Sequence, residues 1–489
     1  MSEEGFLHLI SVSGEIPLKS PRTKPRFFRA LAKAVEDALG RRGVKSFRMW
    51  RDGSRVFLRA PTNCLDTLSH VFGVRRACVA VETPFNDLND LSAKVAELLK
   101  DVVRGRKFAV RVKRVGKHDF TSVDAARAIG SALHPYSAGV DLTNPEVEVR
   151  VEIRGSVAYV IRECVEGPGG LPAGTEGRVL TLFSGGFDSP VAAWMAAKRG
   201  LETHFLHFVL TSPESASQAF EVARKLATDW LHGYRPKFIV VDYRRVVEEV
   251  VRRVRRDFRQ VVLRALMYVG GWLAAERFGF DALVTGEAVG QASSQTLRNL
   301  AAVEEVVARV LGRPPHVLRP LACMDKEEII SLSKRVGTHD LSARVAEYCA
   351  IAPSRVVTRA KPRELAEELG KVSLNLVRDA VASASTADAL NPPPKQWLPD
   401  DIEIDYIPEG AVVVDMRSLK EYREWHYPGA IHVSEAGDLR RFRDRPVVLY
   451  CSHGYASYLM AEHLRREGVR AYSVKGGVET LKRLARGMR

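Results

Sequence analysis

The segment with the clearest capacity for chemistry is a glycine-containing loop, Ser184-Gly-Gly-Phe-Asp-Ser189. It lies between an apolar strand and a helix that Pro190 can open, because a missing N–H costs nothing in the first turn. Two glycines let the backbone approach an anion closely, while Ser184, Ser189 and N–H groups at the helix start can donate hydrogen bonds to phosphate. No Gly-Lys-Ser/Thr follows, so this is not a Walker A loop. A glycine turn with an aspartate cap is the alternative, but the order strand, loop, proline, helix favours phosphate binding.

The second position of interest is Cys451, which follows the apolar strand 447–450 and precedes a predicted helix, 458–467. A sulfur held there is surrounded by backbone N–H groups at a helix N-terminus, which lowers a thiol pKa and stabilises a thiolate or persulfide anion. A merely buried cysteine is the alternative. The six cysteines form no C-x-x-C pair, so neither a zinc ribbon nor a cluster site is predicted. No local setting predicts a role for four of them, Cys64, Cys78, Cys164 and Cys323.

A third candidate is a basic segment without acidic residues between positions 104 and 118. Alternation along the predicted strand 108–114 places valines on one face and basic side chains on the other. Such a face suits shape-based RNA binding through phosphates, although a solvated edge strand that uses charge against aggregation is the alternative. The candidate RNA-binding residues are Arg104, Arg106, Lys107, Arg111, Lys113, Arg114, Lys117 and His118.

The bulk composition agrees with a polyanionic partner. The chain has 489 residues, a net charge of +15 and a pI near 9.6. That surplus favours nucleic acid, although a solvated arginine-rich surface would show the same balance. No apolar run is long enough for a membrane span, and the acidic start, Met1-Ser2-Glu3-Glu4, lacks the basic beginning of a signal peptide. We therefore expect a cytoplasmic protein with no membrane contact.

The elements that must position these groups predict an α/β multidomain chain. The first 165 residues alternate short strands and helices in two small α+β units, and from residue 178 strands and helices alternate as in a parallel doubly wound sheet. The tail again combines strands and helices, after a proline-rich segment that should be extended. The expected boundaries are 1–60, 61–165, a linker at 166–177, 178–382, a second linker at 383–401, and 402–489.

Several long motifs in the same order resemble the tRNA 4-thiouridine synthetases, a group within the PP-loop ATP pyrophosphatases. The resemblance covers nearly the whole chain. It rests on Ser13-Gly-Glu-Ile-Pro-Leu-Lys19, on the basic segment 108–122, on the phosphate loop 184–189, and on Leu283-Val-Thr-Gly-Glu-Ala-Val-Gly-Gln-Ala-Ser-Ser-Gln-Thr-Leu297. Leu318-Arg-Pro-Leu321 and Asp325-Lys-Glu327 match a later segment. The resemblance implies, in chain order, an N-terminal ferredoxin-like domain, a THUMP RNA-binding domain, a PP-loop adenylating domain and a rhodanese-like domain.

The resemblance also implies which residues bind ATP. Family positions carried over to this chain add Leu182, Phe183, His207, Phe208, Arg264, Gly286 and Gln295 to the loop residues Ser184, Gly185, Gly186 and Ser189. Asp188 would lie among phosphates, where a carboxylate is useful for handling Mg²⁺ or positioning the leaving pyrophosphate. Arg264 on a predicted helix could instead form a surface salt bridge.

Cys451 and its surroundings resemble a rhodanese domain, and the pattern Cys-Ser-x-Gly-x-x-Ser agrees with the thiouridine family. Many rhodaneses carry a cation inside this loop to hold thiosulfate, but here the corresponding positions are His453 and Ala456. The loop therefore argues against thiosulfate as the sulfur donor. The resemblance to the thiouridine family implies a cysteine desulfurase as the donor instead. Glu347-Tyr-Cys349 matches a family segment, which implies that Cys349 resolves the persulfide, forms a disulfide with Cys451 and requires a thiol reductant.

Together these resemblances imply adenylation of the C4 oxygen of tRNA uridine 8 and its replacement by sulfur from a Cys451 persulfide, giving 4-thiouridine. The family also implies a homodimer. Three alternatives stay open: sulfur supply for the thiamine thiazole through the rhodanese-like domain, an RNA-binding or chaperone-like protein with a vestigial ATP site, and a PP-loop enzyme that acts on another base.

Overall fold

The structure is a computed structural model that describes residues 5–210, 214–345, 356–394, 397, 401–452 and 454–487. It contains two compact units. Unit 1 comprises Met1–Glu176 with Ala197–Leu201 and Asp229–Tyr234, and unit 2 comprises Gly177–Ala196, Glu202–Thr228 and Arg235–Arg489. Within the described part of the chain, every helix is too short or too polar to cross a membrane.

Unit 1 is built on one eight-stranded sheet with strand order β2-β3-β1-β4-β8-β7-β5-β6. Its strands are β1 (Phe6–Val12), β2 (Arg48–Asp52), β3 (Arg55–Ala60), β4 (Val74–Pro84), β5 (Lys107–Val115), β6 (Gly139–Val140), β7 (Val147–Arg154) and β8 (Val157–Glu166). Its helices are α1 (Glu15–Leu18), α2 (Lys24–Arg41), α3 (Leu65–Leu68), α4 (Leu88–Val103) and α5 (Ser122–Leu133). The strand-like runs 147–153 and 156–162 predict a hairpin that turns at Arg154-Gly155, and the structure confirms it as the β7–β8 turn.

Strand β4 is the longest of the strands that the sequence patterns missed. It pairs with β1 on one side and β8 on the other, so the two expected α+β units share a single sheet. Two cores nevertheless lie along that sheet. One packs α2 residues such as Phe27 against Ile10, and the other packs α4 and α5 residues such as Val95 against Phe108. The periodicity of each half is therefore visible in the sequence, but the shared strand is not.

The sequence predicts a helix over 123–133 with Ser122 as its cap, but the cap of helix α5 lies one residue earlier. Its cap is Thr121, whose hydroxyl accepts from the Asp124 amide, while the Asp124 carboxylate accepts from the Thr121 amide at 2.8 Å. Ser122, expected in this role, is the first helical residue. The reciprocal capping box explains the shift, because Thr121 and Asp124 satisfy each other's terminal N–H groups.

Cys78 and Cys164 form a disulfide, although the sequence gave no role to either. They lie opposite each other in the antiparallel pair β4–β8. Their separation of 86 residues carries no local signal, so only the strand register reveals the pairing. The bond joins the two strands at the centre of the shared sheet.

The central part of unit 2 contains a six-stranded sheet with order β13-β12-β9-β10-β11-β14. Its strands are β9 (Arg178–Leu182), β10 (Glu202–Val209), β11 (Lys237–Asp242), β12 (Ala282–Val284), β13 (Val317–Leu318) and β14 (Ser385–Asp388). Its helices are α6 (Asp188–Lys198), α7 (Glu214–Trp230), α8 (Arg244–Arg253), α9 (Arg259–Phe278), α10 (Leu297–Leu311), α11 (Lys326–Val336), α12 (His339–Ser342), α13 (Pro362–Leu369) and α14 (Leu374–Ala382). The predicted doubly wound parallel sheet is confirmed, with β14 as an antiparallel edge strand.

Two differences from the sequence expectation concern this part. The sequence pattern predicts a single helix over 246–278, but the structure divides it into α8 and α9, because Val254 and Arg255 are extended with ψ of 138° and 134°. The proline-rich segment expected to be an extended linker begins with β14. Farther along it, Trp397 is buried against Phe220 and donates its indole N–H to Ser385 Oγ at 3.1 Å.

The C-terminal part of unit 2 is a five-stranded parallel sheet with order β15-β19-β18-β16-β17. Its strands are β15 (Glu403–Ile404), β16 (Val412–Asp415), β17 (Ile431–His432), β18 (Val447–Tyr450) and β19 (Ala471–Val474). Its helices are α15 (Leu419–Glu424), α16 (Val433–Ala436), α17 (Tyr455–Arg466) and α18 (Val478–Gly487). Apolar cores cover both faces of this sheet, and β18 is fully buried between them.

The disulfide leads to a prediction about unit 1. Replacing Cys78 and Cys164 together with serine should lower the free energy of unfolding of this unit by about 2–4 kcal/mol, because the bond closes a long loop in the unfolded chain. Hydrogen exchange of the backbone amides in unit 1, measured with increasing denaturant, would report the change. Alkylation of the unfolded, unreduced protein provides the control: Cys64 and Cys323 should be labelled, while Cys78 and Cys164 should not. Labelling of all four would contradict the pairing.

Candidate functional site

A cavity of about 400 Å³ lies where β9 and β12 end in the central part of unit 2. Strand β9 has β10 on one side and β12 on the other. The strands that follow β9 in the chain are therefore added first on one side of it and then on the other, and the strand order reverses here. Open parallel sheets bind ligands at such a reversal point, beyond the carboxyl ends of their strands. The cavity is lined by Leu182, Ser184, Asp188, Ser189, Leu210, Gln260, Leu263, Arg264, Met267, Tyr268, Thr285, Gly286, Glu287, Ala292, Ser294 and Gln295.

The phosphate loop forms one wall of this cavity. Ser189 Oγ accepts hydrogen bonds from the amides of Ser184 and Gly185, each at 3.2 Å, and Ser184 Oγ accepts from the Gly186 amide at 3.3 Å. Gly185 has φ of +85°, and a Cβ there would lie 2.8 Å from the Cα of Ala219 on α7. The serines thus hold the loop's shape, and the glycine lets it pack against α7.

Asp188 stands at the first position of α6 with both carboxylate oxygens paired. Lys326 Nζ donates to Oδ1 and Gln291 Nε2 donates to Oδ2, each at 2.8 Å. Neither partner is among the predicted site residues. Lys326 does belong to the segment Asp325-Lys-Glu327 that carries part of the family resemblance, which is a signal that could have identified it. Its contact with Asp188 spans 138 residues and required the tertiary structure.

A buried ionic network organises the opposite wall. Arg264 contacts Glu287 Oε1 and donates to Ser294 Oγ at 3.1 Å. Glu287 also accepts from Arg319 Nε at 3.0 Å and from the hydroxyl of Tyr268. Burial raises the pKa of Glu287, but the charges of Arg264 and Arg319 and the Tyr268 hydrogen bond outweigh it, so the pKa lies below its usual value. Sequence reasoning identified Arg264 but missed Glu287 and Tyr268.

The donor set fits Mg²⁺ in one way. Among the described residues, no three side chains of His, Cys, Asp or Glu are grouped so as to hold a metal ion. Mg²⁺ commonly takes only one or two protein carboxylates and completes its coordination with phosphates and water. Asp188, at the cavity edge and beside the phosphate loop, is a carboxylate suited to that arrangement.

Three of the predicted nucleotide-binding side chains lie in the core instead of along the cavity. Phe183 packs edge-on against Phe205 at 4.7 Å, and Phe208 packs against Tyr243 at 4.3 Å. The ring of His207 is bonded to the Phe183 carbonyl at 2.9 Å and to Ser215 Oγ at 3.0 Å, and burial lowers its pKa to about 4. Their roles in nucleotide binding stay predictions. By contrast, the cavity brings together Leu182, Ser184, Asp188, Ser189, Arg264, Gly286 and Gln295.

Cys451 begins the loop between β18 and α17. Its buried sulfur accepts a hydrogen bond from Ser457 Oγ at 3.5 Å, and Ser457 Oγ is also 2.9 Å from Ser473 Oγ. Gly454, with φ of +87°, packs against the segment that follows β19: a Cβ there would lie 3.3 Å from the Gly476 amide nitrogen. The sulfur therefore lies at the start of a helix, beside hydroxyl donors that stabilise an anion. Cys349 and His453 lie outside the described residues, so the Cys349–Cys451 pairing stays a prediction.

The basic segment of unit 1 has its predicted alternation. Arg111 and Lys113 are exposed, while Val110 and Val112 pack against the core. Several of its charges are partly balanced, since Arg104 pairs with Asp101 at 2.6 Å and Arg111 with Glu148 at 3.2 Å. Arg114 Nη1 lies 3.3 Å from the His118 ring, while Arg106, Lys107 and Lys117 are exposed.

Other strands of unit 1 extend this basic surface. Adjoining cavities of about 280 and 240 Å³ open beside Lys113, and both include Arg55 and Arg76. Arg75 lines the first cavity, while Arg111 and Arg150 line the second. Sequence reasoning missed Arg55, Arg75, Arg76 and Arg150, because they come from strands distant along the chain. The sheet order brings them beside Lys113.

Comparisons with known proteins agree with this arrangement. Family models match at residues 174–374 (thiamine biosynthesis protein, ThiI), 85–162 (THUMP domain) and 399–483 (rhodanese-like domain). A tRNA sulfurtransferase from Desulfurococcus amylolyticus is 47% identical over 96% of this chain and 97% of the relative. One from Pyrobaculum aerophilum is 38% identical over 94% of this chain and 95% of the relative. A crystal structure of a 4-thiouridine synthetase–RNA complex with bound ATP has a TM-score of 0.68 and 27% identity, covering 78% of this chain and 99% of that one.

The ionic network gives a prediction about stability. Glu287→Ala should lower the free energy of unfolding by about 3–5 kcal/mol, because it leaves two arginines in and beside the cavity without their buried carboxylate. Thermal and chemical unfolding of the full chain would measure the loss. Glu304→Ala is the matched control, since Glu304 also pairs with Arg319 but is half exposed, and it should cost less than about 1 kcal/mol. Equal losses in the two variants would show that the buried network has no special weight.

Proposed function

This chain belongs to the tRNA sulfurtransferase family, and we propose that it converts uridine 8 of tRNA to 4-thiouridine with ATP and a Cys451 persulfide. The observation that carries the proposal is the cavity at the carboxyl ends of β9 and β12. It combines a phosphate loop with Arg264 and with Asp188, which Lys326 contacts, in a chain that also holds a cysteine in an anion-stabilising loop.

We propose that the chain divides its work among four domains. The ferredoxin-like domain (1–60) and the THUMP domain (61–165) hold the RNA, and the linker 166–177 leads to the PP-loop domain (178–382). The segment 383–401, predicted as a linker, contributes β14 to the edge of the central sheet and leads to the rhodanese-like domain (402–489). The matched family models and the separate cores of unit 1 support this division, while β4 joins the first two domains through one sheet.

ATP fits the cavity in size and chemistry. A volume of about 400 Å³ lies within the usual range for small-molecule sites. Leu210, Leu263 and Met267 offer an apolar surface for a base, while the phosphate loop and Arg264 offer donors for phosphates. We assign nucleotide binding to the predicted residues that line the cavity. We keep as candidates the predicted residues that support the cavity wall without lining it: Phe183, Gly185, Gly186, His207 and Phe208. Mg²⁺ held by Asp188 would neutralise phosphate charge.

Activation makes the C4 oxygen of uridine a leaving group. In this proposal the oxygen bonds to the α-phosphorus of ATP, the bond to the β-phosphate oxygen breaks, and pyrophosphate leaves. Lys326 and Arg264 stabilise the negative charge that develops on the departing group, as preorganised cations do in phosphoryl transfer. Asp188 positions Lys326 and Gln291 for that contact.

Sulfur then replaces the activated oxygen. The terminal sulfur of the Cys451 persulfide attacks C4, AMP leaves, and the Cys349 thiol attacks Cys451 so that the S–S bond to the transferred sulfur breaks. A Cys349–Cys451 disulfide remains, and a thiol reductant restores both thiols. Ser457 stabilises the Cys451 thiolate that accepts sulfur, through its hydrogen bond to the Cys451 sulfur. A cysteine desulfurase supplies the sulfur that forms the persulfide.

The basic surface of unit 1 is proposed to bind tRNA. Arg111 and Lys113 with the neighbouring arginines of β3, β4 and β7 provide phosphate contacts, and the predicted segment 104–118 continues them. Because tRNA is the proposed substrate, we place the enzyme in the cytoplasm, and we propose a homodimer by analogy with the family.

The family model that matches the central part is named for thiamine biosynthesis, so a second candidate function is sulfur supply for the thiazole. That role would need only the C-terminal part and its Cys451. A deletion strain complemented with Asp188→Ala separates the two: growth without thiamine together with loss of 4-thiouridine assigns both functions to this chain.

Asp188→Ala should reduce formation of AMP and pyrophosphate from ATP and unmodified tRNA at least about 100-fold, because the cation beside the phosphate loop loses its anchor. Persulfide loading of Cys451 should be unaffected. Nucleoside mass spectrometry of the tRNA would report the loss of 4-thiouridine. Glu327→Ala, a neighbouring exposed carboxylate, is the control and should retain activity. Activity preserved in Asp188→Ala would mean that the activation step is misassigned.

Cys451→Ala should abolish desulfurase-dependent thiolation of tRNA while adenylation continues, because the activated base then lacks its sulfur carrier. Labelling with ³⁵S-cysteine and a desulfurase would follow sulfur onto the protein and onto tRNA. Cys323→Ala, which removes an exposed free cysteine, is the matched control and should behave as the wild type. Sulfur transfer that persists in Cys451→Ala would remove the carrier role from this residue.

A further inference from the structure

Within unit 2, an arginine of the central part contacts the helix that follows the Cys451 loop. Arg244, the first residue of α8, is bonded to Asp242 at 2.7 Å and donates to Glu462 Oε2 on α17 at 3.2 Å. Its guanidinium lies 5.5 Å from the ring centroid of Tyr458, on the first turn of the same helix. Only 11% of the Arg244 side chain is exposed. Asp242 thus holds the guanidinium in place, so that it presents a fixed cation to α17.

A second ion pair joins the same two parts on the other side of the Cys451 loop. Lys475, directly after β19, donates to both carboxylate oxygens of Glu214 at 3.1 and 2.9 Å. The segment that carries Lys475 touches the Cys451 loop, since the Val478 amide donates to the Cys451 carbonyl at 2.9 Å. Lys475 therefore connects the wall of the sulfur-carrying loop to the central part.

Helix α7 links this contact to the nucleotide cavity. Glu214 is its first residue, and Ala219, five residues later, packs against Gly185 of the phosphate loop. At a rise of 1.5 Å per residue, the two positions are about 7–8 Å apart along the helix. The first half of α7 thus contacts the phosphate loop at one point and the segment beside the Cys451 loop at another.

We propose that Glu214 and Arg244 form a docking surface on the central part that receives the sulfur-carrying domain and positions Cys451 for delivery to the activated base. The proposal rests on the proposed function, since it concerns the transfer step of that reaction. Lys475 and Glu462 are the matching contacts on the carrier. All four are positioning residues, because they hold a loop and touch no reacting atom.

The chemistry of the contact suits a carrier that must also leave. The Lys475–Glu214 pair is partly exposed, and such a pair contributes little free energy, so it favours a docked state without making it permanent. A carrier that is reloaded by a separate desulfurase needs such a reversible contact, because its cysteine must meet two partners in turn. The opposite charges also determine which face of the carrier docks.

The test compares three variants of the full chain in single-turnover reactions with a preformed Cys451 persulfide. Lys475→Glu should slow thiolation of tRNA about five- to tenfold, since it replaces an attraction with a repulsion. Lys475→Met should give a smaller loss, and the exchange Glu214→Lys with Lys475→Glu should recover most of the rate. Lys482→Glu, a charge reversal elsewhere on the carrier, is the control and should leave the rate unchanged.

Two further measurements isolate docking from folding and chemistry. Persulfide loading by the desulfurase and thiolation driven by added sodium sulfide should match the wild type in every variant, because neither step uses the docked carrier. A wild-type rate or a faster rate in Lys475→Glu would overturn the proposal, as would a loss that the exchanged pair does not recover. Failure of the wild type itself to thiolate tRNA with either the persulfide or sulfide would instead overturn the proposed function.

Discussion

The candidate site depends on one close approach between two loops that the sequence separates by about a hundred residues. Gly286, in the loop after β12, lies so near the phosphate loop that a Cβ would be 2.8 Å from the carbonyl carbon of Asp188. Any larger residue would push the two loops apart. Because they touch, Asp188 reaches Gln291 and Lys326, and the residues after β12 close the cavity that the phosphate loop opens.

A site that binds a polyanion repels it wherever the protein presents an unpaired carboxylate. Carboxylates of the protein in such a site must therefore be paired with cations. Both carboxylates here have cationic partners: Asp188 has Lys326, and the buried Glu287 has Arg264 and Arg319. The pairing lets each carboxylate orient a cation without presenting bare negative charge to phosphate. Arg264, which lines the cavity, and Lys326, which contacts the lining residue Asp188, are thus each held by a carboxylate before a ligand arrives.

Cys451 lies in a loop separate from the nucleotide cavity. This loop also places hydrogen-bond donors beside the group that becomes negatively charged. Ser457 and Ser473 form a hydroxyl pair behind the Cys451 sulfur, and Gly454 allows the chain to turn tightly into α17. The disulfide between Cys78 and Cys164 lies in unit 1 and joins two strands. Cys451 thus keeps a free thiol beside a helix start, while Cys78 and Cys164 form a covalent bond that holds a sheet together.

Local patterns in the sequence determined most elements, the parallel central sheet, the phosphate loop and the setting of Cys451, because periodicity, glycine placement and helix starts are properties of neighbouring residues. The loop pattern placed three of the cavity residues, and family position placed four more. Only the tertiary structure decided that β4 joins two small units, that Cys78 faces Cys164, that Lys326 and Glu287 belong to the site, and that His207 and Phe208 turn into the core. Those facts depend on strand order and register, which bring together residues tens to hundreds of positions apart and leave no mark on the local sequence.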